Sequence, residues 1–154
     1  MNQTPKTPIP RVMGAELPLE AAEAGVSAAM ECARQSDLQV SVAVVDAGGH
    51  LLSFSRVAGT PWSSIELAQG KSRTAVSFGM PSNTLGNMID AATDRVRLHL
   101  LLRPDIIAMG GAFPVQAHGR VIGAIGVSGA SEEQDIECAE AGLAAIHRLI
   151  ESAL

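Results

Sequence analysis

Aromatic residues are scarce in this sequence: they make up 3% of its 154 residues, with one Trp, three Phe and no Tyr. Aromatic side chains form the platforms on which bases of RNA and single-stranded DNA stack, so we expect no nucleic-acid partner. Basic residues are also few, because 11 Lys and Arg stand against 16 Asp and Glu, for a formal net charge of −5. No basic run is present to attract phosphate backbones or anionic lipid, so a membrane surface is not an expected partner either.

Cysteine is equally rare, and the two thiols, Cys32 and Cys138, are far apart in sequence. Neither has a second Cys or His at metal-ligand spacing, so we predict buried free thiols and no metal site. The opening Met1–Arg11 segment is rich in Pro and Thr and lacks the apolar stretch of a signal peptide. No run approaches the roughly 20 apolar residues that cross a bilayer. We therefore expect a cytoplasmic protein.

Hydrophobic residues make up 47% of the chain, and its length suits one folded domain. We predict a flexible tail over residues 1–14 and a domain over residues 15–154. Apolar periodicity predicts alternating helices and strands. The predicted helices cover residues 18–33, 60–78 and 82–92 and a long segment from 131, and the predicted strands cover 40–46, 50–57, 106–109, 112–117 and 120–128. Short hairpin links favour an antiparallel sheet with helices packed on it, an α+β fold.

Two helix starts carry capping signals. Thr60 followed by Pro61 is typical of an N-cap and a first helical residue. Ser131-Glu-Glu-Gln134 is a capping box, and the acidic residues after Ser131 complement the dipole of the last helix. Because these acids would repel a phosphate, the glycines just before this helix do not predict a phosphate-binding loop.

Lys71 interrupts an apolar line of the 60–78 helix. A cation in such a line either extends to solvent or meets an anion. We therefore predict a ligand pocket between the sheet and this helix. Its predicted lining is Arg56, Lys71, Thr74 and the backbone of Gly110 and Gly111. A desolvated lysine without a partner would suit Schiff-base or proton-transfer chemistry, so Lys71 is also a candidate catalytic residue.

Several sequence blocks together resemble the GlcG/HbpS-like family, also called the haem-degrading or DUF336 domain. The blocks lie at Val40–Leu51, Gly70–Gly79, Gly110-Gly111 with Pro114, Gly123–Gly129 and Gln134–Gly142. The likeness covers about residues 17–150. It implies a profilin-like five-stranded antiparallel sheet flanked by helices and a homo-oligomer as large as an octamer. It also implies haem association, as in some members, while other bacterial members lie in catabolic operons.

Two functions remain open at this point. The resemblance favours a small-molecule-binding protein that takes haem or another tetrapyrrole as cofactor, with His50 as a candidate iron ligand. No Cys-x-x-Cys-His attachment motif is present, so iron ligation would fall to a His, Met or Lys side chain. The alternative is a cytoplasmic catabolic enzyme that acts on a small organic acid by proton transfer or hydrolysis, of isomerase or deaminase type, through Lys71.

Overall fold

The computed structural model describes residues 16–152, so the tail predicted over residues 1–14 lies outside the described residues. The described residues form five helices and four strands. In chain order these are α1 (Leu19–Gln35), β1 (Ser41–Asp46), β2 (Leu51–Arg56), α2 (Ser63–Phe78), α3 (Ser82–Asp90), α4 (Asp94–Leu101), β3 (Ala112–Ala117), β4 (Arg120–Ser128) and α5 (Glu132–Ser152).

The four strands form one antiparallel sheet in the order β2-β1-β4-β3. Alternate residues of β1 point to opposite faces, as the period of a strand requires. Val42 and Val44 join the main hydrophobic core under α1 and α5. Val45 packs with Ala75 of α2 on the other face. The sheet is therefore covered by helices on both faces, and the predicted α+β fold is confirmed.

The predicted fifth strand, residues 106–109, is not a strand in this structure. Its backbone is held by side chains instead of by a neighbouring strand. The Ile107 amide donates to the Thr74 hydroxyl of α2 at 2.9 Å, and the Gly110 amide donates to the Glu132 carboxylate of α5 at 2.7 Å. The five-stranded sheet was a wrong prediction, because an apolar run alone does not show whether its amides pair with a strand or with side chains.

Helix α2 lies directly on the sheet where β4 carries Gly126. A Cβ atom there would come within 2.5 Å of the Ala68 carbonyl oxygen, so only glycine allows this close approach. The Ser72 hydroxyl, on the same turn of α2, donates to the Ala43 carbonyl of β1 at 3.2 Å. Sheet and helix are thus in backbone contact, which fixes the position of every α2 side chain relative to the strands.

One of the two capping predictions is confirmed. The Ser131 hydroxyl accepts from the Gln134 amide, and the Gln134 side chain accepts from the Ser131 amide, both at 3.2 Å. Thr60 does not cap α2, because the helix starts later, at Ser63, after Trp62. The Thr60 side chain is buried against the Val40 carbonyl instead. Among residues 16–152, no helix is long and apolar enough to cross a membrane.

Candidate functional site

Lys71 meets an anion supplied by the chain itself. Its ammonium group donates to Asp135 Oδ2 at 2.9 Å and to the Val127 carbonyl at 3.0 Å. The two charged side chains are 3% and 4% exposed. This pair joins the middle of α2 to the first turn of α5 across the end of β4. The sequence left two possibilities for the Lys71 ammonium group, extension to solvent or contact with an anion, and the structure shows contact with an anion.

Burial raises the pKa of the Asp135 carboxyl, because a charged group is poorly solvated away from water. The Lys71 cation opposes this shift, as do hydrogen bonds from the backbone amides of Ala130 and Gly129. Oδ1 of Asp135 accepts from the Ala130 amide at 3.0 Å. The carboxylate therefore ties the residue before the Ser131 cap to the first turn of α5 and holds Lys71 at the same time.

A cavity of about 300 Å³ lies beside this pair, and we call it the Lys71 cavity. Its lining is Pro61, Ser63, Ser64, Leu67, Lys71, Met109, Ser128, Gly129, Ala130, Glu132 and Asp135. Gly111 lies against Lys71: a Cβ atom at Gly111, whose φ is +123°, would be 3.2 Å from the ammonium nitrogen. Of the predicted site residues, the structure thus brings Lys71 and Gly111 together, whereas Gly110 lies against Glu132 and Ile136.

Thr74 is one turn along α2 from Lys71, but its hydroxyl serves the backbone. It donates to the Gly70 carbonyl at 2.8 Å and accepts from the Ile107 amide. Thr74 also lines a second cavity of about 490 Å³ at the C-terminal end of α2, which we call the Arg73 cavity. Its lining is Ala47, Gly48, Gly49, Arg73, Thr74, Val76, Ser77, Phe78, Leu100, Arg103, Asp105 and Ile106. Thr74 and Lys71 therefore line different cavities.

His50 does not line the Arg73 cavity, but it lies against Gly48, which does. Its ring packs over Gly48, where a Cβ atom would lie 2.7 Å from His50 Cε1. Nδ1 of the ring is 3.2 Å from Asp46 Oδ1, and the side chain is 82% exposed. Burial tends to raise the pKa of Asp46, but hydrogen bonds from the His50 and Gly48 amides outweigh it and leave the pKa below its ordinary value. The resulting carboxylate orients the imidazole and leaves Nε2 directed away from it.

Arg56 lies apart from both cavities. It is at the end of β2 and donates to the Thr60 carbonyl at 2.7 Å, so it supports the loop before α2. Sequence reasoning missed two other arginines that line the Arg73 cavity. Arg73 lies against Gly49 of the β1–β2 loop, and Arg103 forms a two-bond pair with Asp105 at 2.6 and 2.8 Å. Arg73 is adjacent to Thr74 in sequence, whereas Arg103 follows a segment whose pattern predicted no element.

The donor set of the Arg73 cavity matches an apolar acid better than a bare metal ion. Val76, Phe78, Leu100 and Ile106 supply apolar surface. The Arg73 guanidinium supplies a cation suited to a carboxylate, and Arg103 supplies a second one that already pairs with Asp105. Within residues 16–152 no group of three His, Cys, Asp or Glu side chains is placed to hold a metal ion. The His50 imidazole, which lies against Gly48 of the lining, offers one nitrogen ligand nearby. This combination fits a metallated tetrapyrrole with acidic side chains.

Comparison with known proteins agrees with the resemblance seen in the sequence. A family model described as "Haem degrading protein HbpS-like" matches residues 17–144. The corrinoid adenosyltransferase PduO of Salmonella typhimurium is 32% identical over 120 residues, which are 78% of this chain and 36% of that protein. The chain thus spans about a third of the length of that relative, so the adenosyltransferase activity is not transferred.

Two crystal structures are similar over most of the chain. HbpS is 34% identical with a TM-score of 0.78, and the match covers 94% of this chain and 96% of that one. A structure described as a PduOC:heme complex is 30% identical with a TM-score of 0.78, covering 85% of this chain and 95% of that one. Together with the family match over residues 17–144, these likenesses show that the chain belongs to the HbpS-like family.

Proposed function

We propose that this protein binds haem or a closely related tetrapyrrole in the Arg73 cavity. The observation that carries the proposal is the apolar wall and the two arginines of this cavity, with the His50 imidazole beside Gly48 of its lining. At about 490 Å³ the cavity lies in the usual size range of ligand pockets, roughly 300–1,000 Å³. The haem complex of the PduO-type relative and the family membership support the same ligand.

In this proposal each residue has one task. His50 Nε2 would hold the iron, because Asp46 contacts Nδ1 and thereby sets the ring orientation. Arg73 and Arg103 bind the propionates through charge-assisted hydrogen bonds. Phe78 and Leu100 contact the porphyrin face. Bound haem would supply a redox-active iron, and these residues would set its ligand and its access to water.

Haemin titration of the purified chain tests the proposal. We expect a saturable, equimolar shift of the Soret band. His50→Ala should weaken haemin binding at least about tenfold and change the spectrum, because the iron loses its ligand. His118→Asn is the matched control: His118 is an exposed histidine on the β3–β4 turn at φ +50°, a conformation that Asn tolerates.

Metal-free protoporphyrin separates ligation from damage to the cavity. It has no iron to ligate, so His50→Ala should bind it as the wild type does. Arg73→Gln and Arg103→Gln should weaken both compounds, because the propionates are common to them. Absence of a saturable shift in the wild type would remove haem as the ligand, and unchanged haemin spectra in His50→Ala would remove His50 as the axial residue.

The enzymatic alternative, a small organic acid processed through Lys71, has less support. The Lys71 amine is engaged by Asp135 and Val127, so it is not a free nucleophile, and Arg56 and Thr74 do not join it in one cavity. The similarity to HbpS and to the PduOC:heme complex supports a binding role instead.

We also propose that the protein is cytoplasmic.

We also propose that the chain self-associates, with an octamer as the upper size. Helix α4 has no buried residue, although it carries several large apolar side chains. Val96, Leu98 and Leu101 are 48–63% exposed, and Leu102, just after the helix, is 80% exposed. Such a patch on a small domain is typical of a contact between subunits. Light scattering on the wild type checks this proposal.

A further inference from the structure

The Lys71 cavity is a second concave site, separate from the one proposed for the tetrapyrrole. Four polar residues in its wall are almost fully buried: Lys71 is 2% exposed, Asp135 2%, Ser64 3% and Ser128 4%. Buried polar groups in proteins normally form hydrogen bonds with all of their donors and acceptors, so the partners of each side chain can be counted. Lys71 and Ser128 have fewer partners among the described residues than they can bond.

Lys71 has one N–H donor without an acceptor among the described residues. An ammonium group has three N–H donors. Val127 and Asp135 take two of them, at 3.0 and 2.9 Å. Within residues 16–152 no third acceptor is present. The remaining N–H is therefore available to an oxygen atom in the cavity that this side chain lines.

Ser128, the last residue of β4, is the second side chain with unused hydrogen-bonding capacity. Its hydroxyl has no hydrogen-bond partner among the described residues, although the residue is 4% exposed and lines the cavity. Nearby Ser64 shows the contrast, because its hydroxyl bonds both the Pro61 carbonyl at 2.6 Å and the Ser41 hydroxyl at 2.7 Å. Because Ser128 lines the cavity, a ligand hydroxyl or carbonyl oxygen would bond this hydroxyl in place of water.

Charge at the cavity favours a neutral ligand. The Lys71 cation repels amines, while Asp135 and the Glu132 carboxylate, which also lines the cavity, repel acids. A hydroxyl group matches both signs, since it can accept from the Lys71 ammonium and donate to a carboxylate. Two adjacent hydroxyls would reach Lys71 and Ser128 together. About 300 Å³ admits only a small molecule.

We propose that the Lys71 cavity binds a small neutral compound with adjacent hydroxyl or hydroxyl and carbonyl oxygens, held by Lys71, Asp135 and Ser128. The Lys71 N–H and the Ser128 hydroxyl contact the ligand oxygens, and Asp135 accepts a ligand hydroxyl while it keeps Lys71 in place. Leu67 and Met109 cover the carbon skeleton from the apolar side of the cavity.

Nuclear magnetic resonance titration tests this site without haem. The probes are 1,2-ethanediol, glycerol and erythritol, with lactate as the anionic and ethanolamine as the cationic counterpart. We expect saturable amide shifts centred on Ser128, Gly129 and Ala130 for the neutral probes. The charged counterparts should bind more weakly. Tighter binding of lactate or ethanolamine than of every neutral probe would overturn the proposed ligand class.

Two serine variants complete the test. Ser128→Ala should weaken binding of the neutral probe about fivefold to tenfold, the effect of one hydrogen bond, and should melt like the wild type because no internal bond is lost. Ser72→Ala is the control: it removes a buried hydroxyl that is bonded to Ala43 and Ala68 outside the cavity, so it should lower stability and leave probe binding unchanged. Equal affinity in Ser128→Ala and wild type, or no saturable shift with any neutral probe, would refute the site.

Discussion

Replacing Lys71 by Met tests the buried ion pair most directly. Methionine keeps a long, flexible side chain and removes the charge. Asp135 then remains 2% exposed without its cation, and the Val127 carbonyl loses a donor. Removal of one partner from a buried pair typically costs about 3–5 kcal/mol. We expect the free energy of unfolding to fall by that amount at neutral pH, a large share of the stability of a small domain.

The loss should depend on pH in a defined direction. Burial already raises the pKa of Asp135 above its ordinary value of 3.8, and removal of Lys71 deletes an attraction that opposes the shift. A carboxyl whose folded-state pKa is raised binds more protons when folded, so its contribution to stability is lost as pH rises from the unfolded to the folded pKa. The deficit of Lys71→Met should therefore be smallest in acid, where Asp135 is neutral in both states, and larger at neutral pH.

Urea unfolding followed by circular dichroism at an acidic and a neutral pH measures both effects. The double variant Lys71→Met/Asp135→Asn is the matched control, because Asn carries no charge and still accepts from the Ala130 amide. It should recover a large part of the lost stability at neutral pH. A deficit below about 1 kcal/mol, as for a surface pair, or one that is the same at both pH values would refute the reasoning.

Three further predictions concern other parts of the fold. Gly126→Ala should lower the free energy of unfolding by at least about 1–3 kcal/mol in the same assay, since the new Cβ would lie 2.5 Å from an α2 carbonyl. Burial raises the pKa of Cys138 to about 12, so iodoacetamide in mildly alkaline buffer should alkylate Cys32 and spare Cys138, as read by peptide mass mapping; equal labelling would contradict this. Leu98→Glu/Leu102→Glu should reduce the mass found by light scattering to that of a monomer, whereas a monomeric wild type would contradict self-association.

Apolar periodicity along the sequence predicted most of the helices and strands. The apolar run over residues 40–46 predicted the strand that became β1, and the capping box placed the start of α5 within one residue. Residues 106–109 show where the method fails, because the Ile107 amide and that of the following Gly110 donate to Thr74 and Glu132, partners distant in sequence. The profilin-like arrangement that the resemblance implies stays a prediction.

The candidate site was predicted only in part. Lys71 stood out because a cation in an apolar helical line needs a partner, but that partner is 64 residues away. Asp135 looked like an ordinary acid in the first turn of a helix, and one of its oxygens does bond a nearby amide, that of Ala130. Its second bond, to Lys71, depends on the packing of α2 and α5 around the end of β4. A local pattern does not contain that packing, so it also did not show that Lys71 and Thr74 line different cavities.

The segment between α4 and β3 connects the two proposed sites. Ile106 lines the Arg73 cavity, and Met109 lines the Lys71 cavity. Two hydrogen bonds to side chains hold this segment. The Ile107 amide donates to the Thr74 hydroxyl, and the Gly110 amide donates to the Glu132 carboxylate. Because these amides pair with α2 and α5 rather than with β3, the segment is positioned by the helices. The segment therefore forms part of the wall of each cavity, a position that it would not have as a fifth strand of the sheet.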